Sequence, residues 1–252
     1  MSYHWKHTCD LAWLAKRQQY LTASDVRKLI PLTPTGRKKV IKDSDYISVM
    51  SSKMVLLDAD DCVSYGAAAR GHLLEPYAVE ECNRILAGHG CNVHLYHWDD
   101  EIVTDGKRRL AFSPDAMSVP MHDVDPATVN DLTIAEIKCY NPERHLQTAY
   151  TDKSEIEERW QIATAMAVLS NIKDAYLVLF NPKMKVRKTF VIHFSREDLK
   201  EEIEMILQVE KKWDDFITDG PLVKKPQGVY LGASGNEQRI KEEIEKTQSL
   251  NP

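Results

Sequence analysis

The five cysteines (Cys9, Cys62, Cys82, Cys91 and Cys139) include no CxxC pair, and an odd number completes no disulfide framework. This argues against both a structural zinc site and a disulfide-stapled secreted fold, and a reducing cytoplasm is the expected compartment. No apolar run is long enough to span a bilayer, and the opening Met1-Ser2-Tyr3-His4-Trp5-Lys6 lacks the apolar core of a signal peptide, so no membrane partner is expected. A basic surplus is missing too: 33 Lys and Arg against 38 Asp and Glu leave a formal charge of -5. Proteins that bind nucleic acid usually carry the opposite balance. A DNA enzyme of this composition would have to gather its basic groups in one cleft. Local clusters occur at Arg37-Lys38-Lys39, at Lys107-Arg108-Arg109 and between Lys183 and Lys188, each most simply a solvated turn.

With 252 residues the chain can bury one large core, with or without an appendage. The expected division is a main domain over 1–220 and a tail or oligomer arm over 221–252. That last segment is rich in lysine, glutamate and turn residues, with room for one short helix over 237–246.

The most informative stretch is 112–140. Phe112-Ser113-Pro114-Asp115 is followed by a polar, Pro-containing loop and then by Ile134-Ala135-Glu136-Ile137-Lys138. Strand alternation points Glu136 and Lys138 the same way and Ile137 the other. Carboxylates from two neighbouring strands beside an ammonium suit a hard divalent cation such as Mg²⁺, which takes carboxylate, carbonyl and water oxygens. Taken alone, such a pattern is more often an exposed salt bridge, so the flanking segments decide.

Toward the N-terminus, 11–17 reads as a short helix with Leu11, Leu14 and Ala15 on one side. A second helix carries Val26, Leu29 and Ile30, with Ser24 as its N-cap. Free N–H groups at that end favour an anion, and the Arg17 fork can grip a phosphate from two sides. Residues 31–36 form a break, and the polar stretch to Asp61 gives no clear element. From Val63 a strong helical pattern (Ala67, Arg70, Gly71, Leu74, Ala78, Cys82, Ile85) runs to the Gly88-His89-Gly90 stop, with a kink or break expected at Pro76. Residues 92–98 alternate as a strand. His94 and His97, three apart on it, face opposite sides and are not expected to share a metal. Asp105-Gly106 marks a two-residue hairpin between 102–104 and 107–112. Ser154-x-x-Glu157 reads as a capping box opening a helix to about Ser170, with Ile156, Trp160, Ala163 and Ala167 inward and Gln161 beside them. Strands over 175–180 and 189–194 turn at Asn181-Pro182. Ser195-x-x-Asp198 opens a long helix to about Thr218.

Pro114-Asp115…Glu136-x-Lys138 resembles the PD-(D/E)xK nuclease motif. Four further features, in the same chain order, resemble the phage lambda exonuclease and YqaJ-type viral recombinase family within that superfamily. They are Trp13-x3-Arg17 with Thr22-x-Ser24, Gly71-x3-Glu75, Ser113-Pro114-Asp115, and Trp160-Gln161-Ile162. The resemblance implies an α/β restriction-endonuclease-like core, a mixed central sheet flanked by helices. It implies a Mg²⁺-dependent exonuclease, with Mn²⁺ as a possible substitute, that removes the 5′-ended strand of linear double-stranded DNA. The product would be a 3′ single strand for recombination.

Carried over residue by residue, Glu75, Asp115, Glu136 and the Ile137 carbonyl would hold one or two Mg²⁺ ions. Lys138 would orient the attacking water. Arg17, Ser24 and Ser113 would hold the 5′-phosphate, and Gln161 would lie by that phosphate or the scissile one. The family also implies a homotrimeric ring, a single-strand annealing partner, and a bacterial or infected host cell. Two other classes stay open. One is an endonuclease or resolvase of the same superfamily; its iron–sulfur members need a cysteine grouping absent here. The other is a non-catalytic DNA-end-binding module.

Overall fold

The computed structural model describes residues 6–8, 10–33, 37–57, 61, 63–99 and 101–219. The expected tail over 221–252, and the short helix within it, lie outside the described residues. The chain divides into one unit over Met1–Trp213 and a second over Asp214–Pro252; only 214–219 of the second are described. Among the described residues no helix is long and apolar enough to cross a membrane.

A five-stranded mixed sheet is the frame, in the order β3 (Tyr96–His97), β4 (Ala116–Met117), β5 (Leu132–Lys138), β6 (Ile172–Phe180) and β7 (Thr189–Ser195). Only the β5–β6 pair is parallel, with Glu136 opposite Leu177 and Lys138 opposite Leu179; the other pairs are antiparallel. A parallel pair needs a crossover. This one is made by α5 (Pro142–Tyr150), a short 3-10 turn and α6 (Arg159–Val168). A separate antiparallel pair joins β1 (Lys6–Thr8) to β2 (Val63–Tyr65). The remaining helices are α1 (Leu11–Gln18), α2 (Ala23–Leu29), α3 (Asp43–Met54), α4 (Gly66–Gly88) and α7 (Lys200–Asp219).

The apolar periods explain the layers. Ala78, Val79, Cys82 and Leu86 of α4 lie against Ala116, Ala135, Ile137, Val178 and Phe180 of the sheet in one buried cluster. Since Ala135 and Ile137 face α4, alternation turns Glu136 and Lys138 to the other face. Every residue of α6 except Gln161 is buried. A helix buried nearly all round has little freedom to rotate, and Gln161 is its one partly open position.

Several local expectations are corrected. Helix α2 is capped by Thr22, not Ser24: the Thr22 hydroxyl donates to Asp25 Oδ2 at 2.8 Å, and the Thr22 amide to the same oxygen at 3.1 Å. Ser24 lies inside the first turn and is exposed. Helix α1 has no fully buried residue: on the apolar side read for it Leu11 is 42 % exposed and Leu14 is half-buried, as are Trp13 and Arg17. The helix read from Val63 begins at Gly66, whose φ of +64° lies in the left-handed region that favours glycine. Helix α4 then runs unbroken through Pro76, which sits on the exposed face where water can replace the missing hydrogen bond.

The strand over 92–98 shrinks to Tyr96–His97. The hairpin around Asp105-Gly106 is an eight-residue loop, not a two-residue one, closed by a Val103–Phe112 bridge. Asp105 Oδ1 accepts the Lys107 and Arg108 amides there and curls the chain into a wider turn. Ser154 opens no helix: Asp152 caps the 3-10 turn, and α6 starts at Arg159. Helix α5, started by Asn141-Pro142, was not expected. The Ser195–Asp198 box does form, each residue's amide donating to the other's side chain.

Helix α3 falls in the polar stretch that gave no reading, and Val49 is its one buried residue. A polar tie holds it: Lys53 Nζ lies 2.5 Å from Asp25 Oδ2, with only 13 % and 7 % of the two side chains exposed. Burial raises the Asp25 pKa, yet Lys53 and Thr22 outweigh it and leave Asp25 below the ordinary carboxylate value. Burial lowers Lys53 by more than Asp25 restores, so the intact pair adds little net stability while either charge alone is costly. Lys53→Met, by urea unfolding, is expected to destabilise by about 3 kcal/mol. Because the Asp25 pKa is depressed, its contribution is present above about pH 4 and lost as pH falls through the folded-state value. The penalty of Lys53→Met therefore shrinks in acid.

Candidate active site

A cleft of about 600 Å³ opens among α1, α2, α4, β5, α5, α6 and the residues just before β4. All nine sequence-derived candidates line it: Arg17 and Ser24 on one wall, Glu75 from α4, Ser113 and Asp115 before β4, Glu136, Ile137 and Lys138 on β5, and Gln161 from α6. Sheet pairing does much of this placing. The Ala116–Ala135 register sets Asp115 beside Glu136, and Asp115 Oδ2 accepts the Ile137 amide at 2.6 Å. On its other side, the Trp98 amide donates to the Asp115 carbonyl at 3.0 Å.

The electrostatics are those of crowded carboxylates. Asp115 keeps part of its surface on the cleft but is hemmed in closely: burial first, then the charges of Glu136 and Glu75, push its pKa well above the usual range. Lys138 is ion-paired with Glu136. Burial lowers the Lys138 pKa, but Glu136 and Asp115 outweigh burial and hold it above the ordinary lysine value, so its ammonium keeps its proton at neutral pH. Glu75 sits between two imidazoles, His72 Nδ1 at 3.4 Å and His97 Nε2 at 3.7 Å. Burial raises Glu75; the two histidines more than offset this and hold it at about 2. Among the described residues, no three His, Cys, Asp or Glu side chains are already drawn together closely enough to hold a metal ion.

The Arg17 wall is a second construction. Arg17 Nη2 lies 3.4 Å from Ser24 Oγ, and its guanidinium stands 5.1 Å from the centre of the Trp13 ring. The Thr22 and Ser24 hydroxyls are 3.0 Å apart. Ser113 donates its hydroxyl proton to the Glu101 carbonyl at 2.6 Å, leaving its oxygen lone pairs for another donor.

The cleft also holds residues that sequence reasoning gave no role: His72, Arg70, Tyr140 and Arg144. His97 stands behind Glu75, while His94 lies outside the strand, is exposed and edges the Tyr96 ring at 4.9 Å. The i, i+3 spacing of His72 and Glu75 on one helix was the signal available for His72. Arg17, Arg70 and Arg144 share this cleft with Glu75, Asp99, Asp115 and Glu136, and Arg144 is ion-paired with Glu157 and Glu158.

No curated protein resembles the chain closely enough in sequence to count as a relative. Among solved structures, the fold is similar to an alkaline exonuclease from Laribacter hongkongensis, LHK-Exo, at 19% identity and a TM-score of 0.52, covering 82% of this chain and 96% of that one. The same enzyme in complex with dAMP matches at 18% identity and a TM-score of 0.51, covering 81% and 95%. The α/β core is thus the exonuclease fold. The model of the YqaJ-like viral recombinase domain matches residues 12–172. That span contains every element around the cleft, and the chain belongs to the YqaJ-like viral recombinase family.

Proposed function

We propose that the chain is a Mg²⁺-dependent exonuclease that removes the 5′-ended strand of linear double-stranded DNA and leaves 3′ single-stranded overhangs. The observation that carries this reading is the convergence of Glu75, Asp115, Glu136 and Lys138 in one cleft with a second, Arg17-centred anion wall. The donor set fits a hard divalent cation. Three carboxylates crowd the site, and Asp115 is driven toward its protonated form by burial and by the other two. Such a cluster offers carboxylate and carbonyl oxygens, which are what Mg²⁺ or Mn²⁺ takes. Glu75, Asp115, Glu136 and the Ile137 carbonyl would hold it. When bound, the cation supplies Lewis-acid polarisation of the phosphate and an acidified water.

The residues do the rest. Lys138, kept protonated by its carboxylate neighbours, orients the attacking water and offsets negative charge on the phosphorus; it does not act as a base. Arg17, with Ser24 and Ser113, receives the terminal 5′-phosphate and thereby sets the strand that is cut. Gln161 lies by that phosphate or by the scissile one. The family resemblance sets this activity in a ring-shaped trimer beside a single-strand annealing protein in the cytoplasm.

The test uses linear duplex DNA labelled on one strand or the other, with 5′-phosphate or 5′-hydroxyl ends. Loss of the 5′-ended strand alone supports the reading, and loss of the 3′-ended strand overturns the direction. Arg17→Ala should lower the preference for phosphorylated over hydroxyl ends by about tenfold or more, the worth of a charge-assisted pair. An unchanged preference would remove the 5′-phosphate role from Arg17.

A further inference from the structure

Two buried N–H donors that line the cleft have no acceptor among the described residues: Arg70 Nε and Trp13 Nε1. A buried donor without a partner is costly, and one is seldom left so unless a ligand, an ion or an ordered water completes it. Both are donors, so what completes them must bring acceptor atoms. Trp13 lies under the Arg17 guanidinium, in the wall already described. Arg70 is elsewhere. Its Nη2 donates to the Cys139 carbonyl at 2.7 Å, one residue beyond Lys138, and so ties α4 to the end of β5. Arg70 lines the same cleft as Glu75, Asp115 and Glu136. Arg70 therefore stands among the acidic residues, with one arm anchored and the Nε edge of its fork unused.

We propose that Arg70 is a catalytic residue whose Nε–H, with a neighbouring Nη–H, binds the non-bridging oxygens of the scissile phosphate. The inference rests on the exonuclease reading and names a further group in that site. A guanidinium presents two parallel donors that match two phosphate oxygens, and the Cys139 tether fixes their direction before substrate arrives. In the step it assists, a water oxygen forms a bond to phosphorus and the bond from phosphorus to the 3′ oxygen breaks. The water's proton passes to solvent, and the departing 3′ oxygen takes one up. A 5′-mononucleotide leaves, and the next nucleotide carries the new 5′-phosphate. Negative charge on the non-bridging oxygens is greatest midway, so donors fixed there act on the rate more than on binding.

The experiment compares the full-length protein with Arg70→Ala and Arg70→Lys in single-turnover digestion of linear duplex. Mn²⁺ affinity and thermal unfolding are measured alongside. The expected result for Arg70→Ala is a rate lower by about 100-fold, with duplex KM and Mn²⁺ affinity within about threefold of the parent and partial recovery on adding guanidinium ion. Arg70→Lys, which lacks the paired donors, should recover little. A rate within threefold of the parent overturns the proposal. So does a loss accounted for by weaker Mn²⁺ binding or a lower Tm without guanidinium recovery, because Arg70 would then only brace β5. If the parent protein cuts no DNA, the exonuclease reading fails separately, and inorganic phosphate titrated by calorimetry into Arg17→Ala and into Arg17→Ala with Arg70→Ala decides for Arg70. Binding at least tenfold weaker in the double variant sustains a phosphate site, and equal binding removes it.

Discussion

Lys138→Met is expected to lower the rate of duplex digestion by about 100-fold or more while the protein stays folded and still binds divalent metal. The side chain is ion-paired with Glu136, and the two carboxylates around it keep it charged. Its contribution is that fixed positive charge, which is worth most where water is scarce and the phosphate gains charge. Methionine keeps the length of the chain and deletes the charge. A base would be expected to titrate near neutrality, and Lys138 is held far from it. The digestion rate of the parent protein should therefore show no rise in alkali assignable to lysine deprotonation. Glu136→Ala should lose metal binding and cutting together, which separates the two halves of the Glu136-x-Lys138 pair. Cutting by Lys138→Met near the parent rate would take the site away from this strand.

The second large effect is a trade of activity for stability at Asp115. Asp115→Asn should abolish cutting yet raise the stability of the metal-free protein by about 1–2 kcal/mol, seen as a Tm several degrees higher at neutral pH. The native aspartate is costly because burial and the charges of Glu136 and Glu75 all oppose its ionisation. Asparagine removes that charge and still offers an oxygen to the Ile137 amide, the bond now made at 2.6 Å. The sign of the pH dependence follows. A carboxyl whose folded-state pKa is raised holds its proton better in the folded chain than in the unfolded one. Its favourable share is whole below the ordinary carboxylate pKa of about 4 and is lost as pH rises through the raised value. The parent should lose stability over that interval in the absence of metal, and Asp115→Asn should not. Saturating Mn²⁺ should stabilise the parent and leave the variant unmoved.

How far the sequence speaks for this site depends on the kind of contact. Glu136 and Lys138 were legible because strand alternation is a local rule and β5 is regular. Asp115 was legible because the polar loop and the hairpin topology put it beside them. Glu75 was a plain helix carboxylate by pattern and entered only through the family resemblance, since nothing local says that its helix face meets the cleft. Arg70, His72 and His97 were missed for the same reason: their partners are Cys139 and Glu75, brought together by the packing of α4 on the sheet. Helix α3 was missed because it has almost no apolar period to read, and its anchor is an ion pair across 28 residues of sequence. Ser24 and Thr22 are both good caps, and the choice fell to Thr22 because Asp25, three residues on, can return its bond. Asp105-Gly106 pointed to a tight hairpin, and the Asp105 side chain captured two amides to make a wider loop.

The central claim is metal-dependent removal of a 5′-ended strand from a DNA end, and one digestion tests it. Linear duplex with 5′-phosphates and a closed circular duplex are incubated with the protein, with Mg²⁺ and then with a chelator in its place; Glu136→Ala is run in parallel. The account predicts that the 5′-ended strand of the linear duplex disappears with Mg²⁺ only, that the circle survives, and that Glu136→Ala cuts neither. Cutting of the circle would contradict it in favour of an endonuclease, and DNA bound but left whole would contradict it in favour of a binding module.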